Sequence, residues 1–113
     1  MTTSLERTWT AVCGVDAVPE YSGVAALLDG VQVAIFRLPG ARWYALSNWD
    51  PCSGAAVLSR GIVGDAGGVP VVASPVYKER FALDSGQCLD AEGVSVPVYE
   101  VRVREGVVEV ESP

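Results

Sequence analysis

Two loop-like segments carry the residues of this chain that are best suited to chemistry. The first is NWDPCSGAAVLSRGIVGD (48–65), and the second is SPVYKERFAL (74–83). Cys52 is placed in the first segment like a metal ligand, two residues after the carboxylate of Asp50. Histidine, the commonest metal-binding side chain, is absent from all 113 residues. Both segments therefore look like loops built to hold a group, although the usual imidazole ligands are missing.

The overall charge and composition limit the classes of partner. The formal net charge is −6, and a chain this acidic is a poor candidate for nucleic-acid binding, because phosphates are neutralised by Lys and Arg. No run of 18 apolar residues occurs, and the N-terminus lacks the basic and apolar pattern of a signal peptide. We therefore expect a cytoplasmic protein, without nucleic-acid or membrane partners, that folds as one domain over residues 1–113.

Short apolar runs separated by turn residues predict an all-β fold of about eight to ten strands. Asp29-Gly30 separates the runs 24–28 and 31–37, which is a strong hairpin signal because both turn residues must adopt positive φ. The other predicted strands lie at 8–13, 42–47, 69–73, 98–104 and 107–111. Helical signals are confined to two possible short turns, at 15–20 with Asp16 as its cap and at 58–60.

The last two predicted strands alternate apolar and charged residues. Along 98–104, Val101 and Val103 alternate with arginines, which is the period of a half-buried strand. Glu105-Gly106 predicts a tight turn, and valine alternates with glutamate along 107–111. One face of each strand is therefore expected to be buried, with Val101 and Val103 on the first and Val108 and Val110 on the second.

The three cysteines, Cys13, Cys52 and Cys88, cannot all pair within the chain, and no C-x-x-C motif occurs. In a cytosolic protein we expect reduced and mostly buried thiols. Cys52 is expected to be a small packed thiol; the alternative, a reactive thiol, needs a neighbouring cation such as Lys78 to lower its pKa. No catalytic residue is predicted, because no pair of carboxylates occurs at a defined spacing.

The two loops match the layout of a Rieske [2Fe–2S] centre, in which one loop supplies C-x-H and the other C-x-x-H. On this chain Asp50 takes the first cysteine position and Cys52 the first histidine position, while Ser74 and Tyr77 replace the second pair. The surrounding framework is kept at Pro51, Gly54, Ala55, Pro75, Phe81, Leu83 and Gly86. The chain therefore resembles a Rieske-type domain from which the cluster ligands have been removed.

A more specific resemblance comes from blocks that occur together, mainly in the second half of the chain. They are VLSRGIVGD (57–65), VASPVYK (72–78), FALDSGQCL (81–89) and SVPVYEVR (95–102), preceded by WTAVC (9–13) and WYALSNW (43–49). In these blocks the chain resembles the small subunit of the cytoplasmic NAD(P)H-dependent nitrite reductase. In that family we expect an aromatic residue at position 52, so Cys52 is a departure that leaves a reactive or metal-contacting thiol open.

The resemblance implies an all-β, Rieske-like antiparallel sandwich or barrel, with a smaller loop-rich subdomain that carries the degenerate loops at about 48–65 and 73–86. It implies a non-catalytic subunit that holds no cluster, metal or other cofactor and is inactive in isolation. The partner would be a large subunit with FAD, an iron–sulfur cluster and sirohaem, which carries out the six-electron reduction of nitrite to ammonium. The alternative is a cluster-free interaction module of another oxidoreductase.

Arg60, Lys78 and Arg80 are three of eight cationic residues, and in a Rieske-like fold the two loops meet at one end of the molecule. We interpret them as a cationic tip that docks on the large subunit, where charge complementarity sets orientation and association rate. The alternative is a role in local salt bridges, for instance with Asp50, Asp65 or Glu79.

Two of the replaced ligand positions are expected to have structural roles. Tyr77 would pack across the space that the cluster occupies in a Rieske centre, and its hydroxyl would need a partner if buried; the alternative is a contact with the partner subunit. Ser74 would form a hydrogen bond within its loop, as serine often does in turns.

Overall fold

The structure is a computed structural model that describes residues 8–112. Twelve strands and two short 3-10 turns make up the regular structure of this range. The strands are β1 (Trp9–Gly14), β2 (Ser22–Leu28), β3 (Val31–Leu38), β4 (Arg42–Ser47), β5 (Trp49–Asp50), β6 (Ala55–Ala56), β7 (Ile62–Ala66), β8 (Val69–Ala73), β9 (Arg80–Ala82), β10 (Val98–Tyr99), β11 (Val101–Arg104) and β12 (Val107–Glu111). The 3-10 turns span Val15–Ala17 and Leu58–Arg60. The predicted all-β fold is confirmed.

Two antiparallel sheets form a sandwich that uses strands from both ends of the chain. One sheet has the order β10-β4-β3-β2, and the other has the order β1-β12-β11, so the first and last strands pair. Val33 and Ile35 of β3 pack in one buried cluster with Val108 and Val110 of β12. Alternation along β12 therefore buries Val108 and Val110, as the sequence predicted, while Val107 at the start of the strand is exposed.

The strand β3 is buried on both faces, and this explains its long apolar run. Ala34 and Phe36 point away from Val33 and Ile35, because successive side chains alternate across a strand. They belong to a second buried cluster, which also contains Leu38, Leu46, Leu58, Val72, Phe81, Leu83, Cys88 and Val96. Most of these partners come from residues 58–96, so a smaller subdomain covers the outer face of the four-stranded sheet.

This subdomain contains the β5-β6 hairpin and the three-stranded sheet β7-β8-β9. Its first loop is fixed by the buried Asn48, whose side-chain oxygen accepts a hydrogen bond of 2.7 Å from the amide of Ser59. In the sheet, Ile62 pairs with Ala73, and Ala73 pairs with Arg80. That register places the start of β7, the end of β8 and the start of β9 side by side.

The hairpin predictions are confirmed by positive φ at both turn residues, 51° at Asp29 and 80° at Gly30. The strand predicted at 98–104 is wrong as a single element. Val98–Tyr99 pairs with β4, Val101–Arg104 pairs with β12, and Glu100 lies between the two sheets. At Glu100 the chain passes from one sheet to the other, and a local alternating pattern does not predict which strand each part pairs with.

Two further details differ from the sequence predictions. Val103 is exposed, whereas Arg102 is partly buried, with its guanidinium 4.2 Å from the ring centre of Trp9. The cap of the first 3-10 turn is Gly14, and Asp16 lies inside the turn, so the predicted cap is wrong. Within residues 8–112, no helix is long and apolar enough to cross a membrane.

Candidate functional site

The two ligand-like loops meet at Asp50 and Ser74. Asp50 ends β5 and is fully buried, while Ser74 follows β8 and is also buried. The Ser74 hydroxyl donates a hydrogen bond of 2.5 Å to the Asp50 carboxylate. The predicted hydrogen bond within the second loop is also present, because the Ser74 oxygen accepts from the amide of Val76 at 3.3 Å.

Asp50 receives two more hydrogen bonds from its own loop. The amide of Cys52 donates to Oδ1, and the Ser53 hydroxyl donates to Oδ2, both at 2.9 Å. Burial raises the pKa of Asp50, but the hydrogen bonds from Ser74, Cys52 and Ser53 outweigh that effect and hold the pKa below its ordinary value. Asp50 is thus an anion whose charge is balanced by local donors, and it links both loops.

The carboxyl group of Glu79 lies beside this anion. Glu79 is only 9% exposed, and one of its oxygens, one of the Asp50 oxygens and the Cys52 sulfur all lie within 4.8 Å of one another. Its Oε1 is fully buried and has no hydrogen-bond partner among the described residues. Burial raises the pKa of Glu79, and the neighbouring Asp50 carboxylate raises it further.

Glu79 is suggested by the sequence only as an ion-pair partner, although a signal for its buried position exists. Along β9 and the residue before it, Glu79 is buried, Arg80 is exposed and Phe81 is buried. Alternation extended backwards from the buried Phe81 therefore places Glu79 on the inner side of the sheet. The run of charged residues around it hides that pattern.

Cys52 is not the packed thiol that was expected, because its side chain is exposed. Partial desolvation of the sulfur raises the pKa of the Cys52 thiol above its ordinary value, and the negative charges of Glu79 and Asp50 raise it further. The alternative of a reactive, low-pKa thiol is therefore not favoured either. Of the other two free cysteines, Cys88 is buried and Cys13 is partly buried.

Tyr77 does not fill the space between the loops. Its side chain is 66% exposed, so the predicted packing across the cluster position is wrong. The residue stands in the turn between Ser74 and Glu79, which is closed by a hydrogen bond from the amide of Lys78 to the carbonyl of Ser74. Lys78 adopts a positive φ of 69° to make that turn, and both side chains point to solvent.

The three candidate cations lie at the same end of the β7-β8-β9 sheet. Arg60 is two residues before Ile62, Lys78 is two residues before Arg80, and Ile62 and Arg80 flank Ala73 in the register. The Arg80 guanidinium forms hydrogen bonds of 3.0 and 2.8 Å with the two oxygens of Asp90, a partner that the sequence analysis did not name. Among the described residues, Arg60 and Lys78 are exposed and take part in neither of the two ion pairs.

Comparison with known proteins identifies the family. The family model described as a Rieske-like [2Fe-2S] domain matches the sequence over residues 8–111. The chain belongs to this Rieske-like family. It is 44% identical over 103 residues to a nitrite reductase (NADH) small subunit of Escherichia coli K12, and the match covers 90% of this chain and 95% of that protein.

Two further matches extend the comparison of this Rieske-like chain. A crystal structure described as an NADH-dependent nitrite reductase small subunit from Mycobacterium tuberculosis is 52% identical, covers 96% of this chain and 97% of its own, and superimposes with a TM-score of 0.91. A nitrite reductase [NAD(P)H] large subunit of Klebsiella oxytoca is 46% identical over 102 residues. The chain covers only 11% of that protein, so a domain like this one also occurs as a segment of a longer polypeptide.

The [2Fe–2S] group after which the family is named does not fit the residues of this chain. A Rieske cluster takes two cysteines and two histidines, whereas this chain has no histidine, and the four positions predicted to correspond to the ligands hold Asp50, Cys52, Ser74 and Tyr77. Asp50 and Ser74 are already hydrogen-bonded to each other, and Tyr77 points to solvent. These residues therefore cannot hold a Rieske cluster.

Proposed function

We propose that this chain is the non-catalytic small subunit of an NAD(P)H nitrite reductase. It supports the reduction of nitrite to ammonium by a large subunit that carries FAD, an iron–sulfur cluster and sirohaem, and it works in the cytoplasm. The observation that carries the proposal is the similarity, over nearly the full length of both chains, to proteins named as small subunits of this enzyme. The domain within the Klebsiella large subunit adds support, because a domain fused to a partner is held at high effective concentration beside it.

In this function the chain contributes a surface rather than a redox centre. The four Rieske positions offer one thiol, one carboxyl and two hydroxyl groups, a set that cannot bind a cluster. We therefore expect the isolated chain to show no nitrite or NAD(P)H turnover. Its effect on the reaction should appear only when the large subunit is present.

We assign docking to the tip surface, which we define as the exposed side chains of Trp49, Arg60, Ile62, Val76, Tyr77 and Lys78. These residues belong to the two loops that Asp50 and Ser74 join and to the start of β7. Aromatic anchors with neighbouring cations are typical of interface centres. Arg80, a further candidate, contributes indirectly, because its ion pair with Asp90 braces the second loop.

A reconstitution experiment tests the subunit assignment. Large subunit purified from cells that lack this chain is assayed for nitrite-dependent NADH oxidation before and after addition of the pure chain. We expect saturable stimulation at one chain per large subunit and no activity from the chain alone. Full activity of the large subunit in cells and in the assay without the chain would contradict the proposal.

A matched pair of tyrosine variants tests the tip surface. Tyr77 is 66% exposed on the tip, and Tyr21 is 60% exposed beside Arg37 and does not belong to the tip surface as defined. We expect Tyr77→Ala to weaken binding of the large subunit about tenfold or more, the usual effect of removing an aromatic anchor. Tyr21→Ala should leave the affinity unchanged, and equal effects of the two substitutions would move the interface elsewhere.

A further inference from the structure

We propose that Asp50, Cys52 and Glu79 form a binding site for one divalent cation of the zinc type, placed between the two loops. This site is distinct from a Rieske centre, since it uses two carboxylates and one thiolate and includes Glu79, which is not at a Rieske ligand position. The proposal does not depend on the function assigned above. It concerns what this chain binds on its own.

The distances between the three groups suit a single small cation. One ligand atom from each residue lies within 4.8 Å of the other two. Oxygen and sulfur atoms that share one tetrahedral zinc ion lie about 3.3–3.8 Å apart, given bond lengths of about 2.0–2.3 Å. The site is therefore complete if the two most distant ligand atoms move about 1 Å closer to each other. Side-chain rotation of the exposed Cys52 can supply much of this movement.

The buried and unpartnered oxygen of Glu79 is the independent observation that points to a ligand. Within the described residues, Oε1 of Glu79 has less than 1 Å² of exposure and accepts no hydrogen bond. Buried polar atoms without a partner are rare, and a carboxylate oxygen can be satisfied only by a donor or a cation. The Ser74 and Ser53 hydroxyls and the Cys52 amide donate to the neighbouring Asp50 carboxylate, and none of these hydrogen bonds reaches Oε1 of Glu79.

The donor set selects the kind of cation. Magnesium and calcium prefer sites made entirely of oxygen, whereas a thiolate favours zinc and similar transition-metal ions. Three protein ligands leave the fourth tetrahedral position open, and the exposed side of Cys52 provides the path for a water molecule or a partner's ligand. The thiol would lose its proton to solvent on binding. The cation would then join the first and second loops of the tip surface.

Cobalt and zinc titrations of the reduced, metal-free chain test the site. Cobalt bound to a thiolate gives a sulfur-to-metal charge-transfer absorption band, and zinc binding is followed by calorimetry and by the increase in Tm. We expect one ion per chain, a charge-transfer band with cobalt and a higher Tm with zinc. We expect Cys52→Ser to abolish the band and Glu79→Gln to weaken zinc binding about 10- to 100-fold.

The control is Cys13→Ser, which removes another free thiol that does not belong to the cluster. It should leave the band, the stoichiometry and the Tm increase unchanged. Circular dichroism of each metal-free variant checks that it is folded. If Glu79→Gln does not fold, the Cys52→Ser variant, whose substitution is exposed, and the stoichiometry of the wild type still test whether the site exists. Absence of the band and of zinc heat in the wild type would overturn the proposal. So would equal binding by the Cys52→Ser protein, or a protonated Glu79 carboxyl in the infrared spectrum that persists when excess zinc is added.

Discussion

Asp50 shows how a single buried carboxylate can join two loops. A buried carboxylate is unfavourable unless its oxygens accept hydrogen bonds. Here Ser53 and the Cys52 amide donate from the first loop, and Ser74 donates from the second. The carboxylate therefore joins the same two loops that four ligands and two irons join in a Rieske centre.

The hydrogen bond between Ser74 and Asp50 leads to a prediction for stability. In the metal-free chain, Ser74→Ala should lower the free energy of unfolding by about 1.5–3 kcal/mol, because it removes a hydrogen bond to a buried charge. The control is Ser85→Ala, which removes an exposed hydroxyl that accepts only a 3.2 Å hydrogen bond from the Gln87 amide. That change should cost about 0.5 kcal/mol or less. Urea denaturation measures both values, and equal costs would mean that Asp50 does not depend on Ser74.

The Arg80–Asp90 pair leads to a prediction for pH dependence. Hydrogen bonds from the Arg80 side chain and backbone amide lower the pKa of Asp90 to about 2. Because the folded-state pKa is below the unfolded value of about 3.9, the pair stabilises the fold above about pH 4, and this contribution is lost as the pH falls toward 2. Both side chains are partly exposed, so the contribution to stability is small.

An NMR titration of the Asp90 carboxyl carbon tests this pair directly. Arg80→Gln should move the pKa of Asp90 part of the way back toward 3.9, since the backbone amide of residue 80 still donates to it. Arg60→Gln is the control, because Arg60 takes part in neither ion pair of the described residues and its loss should leave the titration unchanged. A normal pKa of Asp90 in the wild-type chain would contradict the observed geometry.

The sequence was sufficient to find some residues of the site and not others. Asp50, Cys52 and Ser74 stand out because they occupy loop positions at ligand spacing, and the structure brings all three together. Glu79 was missed because its burial depends on how β9 lies against the subdomain core. The exposure of Tyr77 was not predicted either, because the turn that exposes it depends on the positive φ of Lys78.

At the scale of elements, Gly86 fixes the approach between the subdomain and the segment that leads to β10. Its amide donates to Ala82, and its carbonyl accepts from the amide of Val96. A Cβ atom at position 86 would lie 2.0 Å from the Val96 carbonyl oxygen, which no side-chain rotation can relieve. Only glycine allows these two backbone segments to be so close.

Gly93 provides a matched control for the packing role of Gly86. Both residues adopt a φ of 78°, but a Cβ atom at position 93 would have nothing within 4 Å. Gly93→Ala should cost about 1 kcal/mol through backbone strain alone. Gly86→Ala should cost at least about 2 kcal/mol more, because the backbone must also move away from Val96. Thermal denaturation of the two variants measures the difference, and similar Tm values would rule out the close approach.

The strand pattern was largely predictable because hairpin turns are local signals. Asp29-Gly30 and Glu105-Gly106 both combine a turn-forming pair with apolar alternation on each side, and both turns are present. The break at Glu100 was not predictable, since both neighbours continue the same local pattern. What separates them is the choice of partner, β4 for Tyr99 and β12 for Val101, and that choice is made by tertiary packing.

For the whole molecule, the arrangement of charge matters more than its total. The chain has a net charge of −6, yet Arg60 and Lys78 are exposed together on the tip surface and take part in neither of the described ion pairs. Oppositely charged surfaces raise the rate of association and orient the encounter, while contributing less to the final affinity. Docking of the tip surface on an acidic surface should therefore raise the association rate and make that rate depend on the salt concentration.

Charge reversals at the two ends of the molecule test this interpretation. We expect Arg60→Glu and Lys78→Glu each to slow association with the large subunit about tenfold at low salt, measured by biolayer interferometry. Arg104→Glu is the control: it changes the net charge by the same amount, but Arg104 is exposed next to the Glu105-Gly106 turn, at the end of the sandwich away from the loops. The difference between tip and control variants should shrink as salt is raised, because the screening length falls from about 10 Å at 0.1 M to about 3 Å at 1 M. If Arg104→Glu slows association as much as the tip variants do, net charge governs the association rate and the tip surface does not direct it. If the tip variants still slow association at high salt, Arg60 and Lys78 act through direct contacts and not through long-range electrostatic attraction.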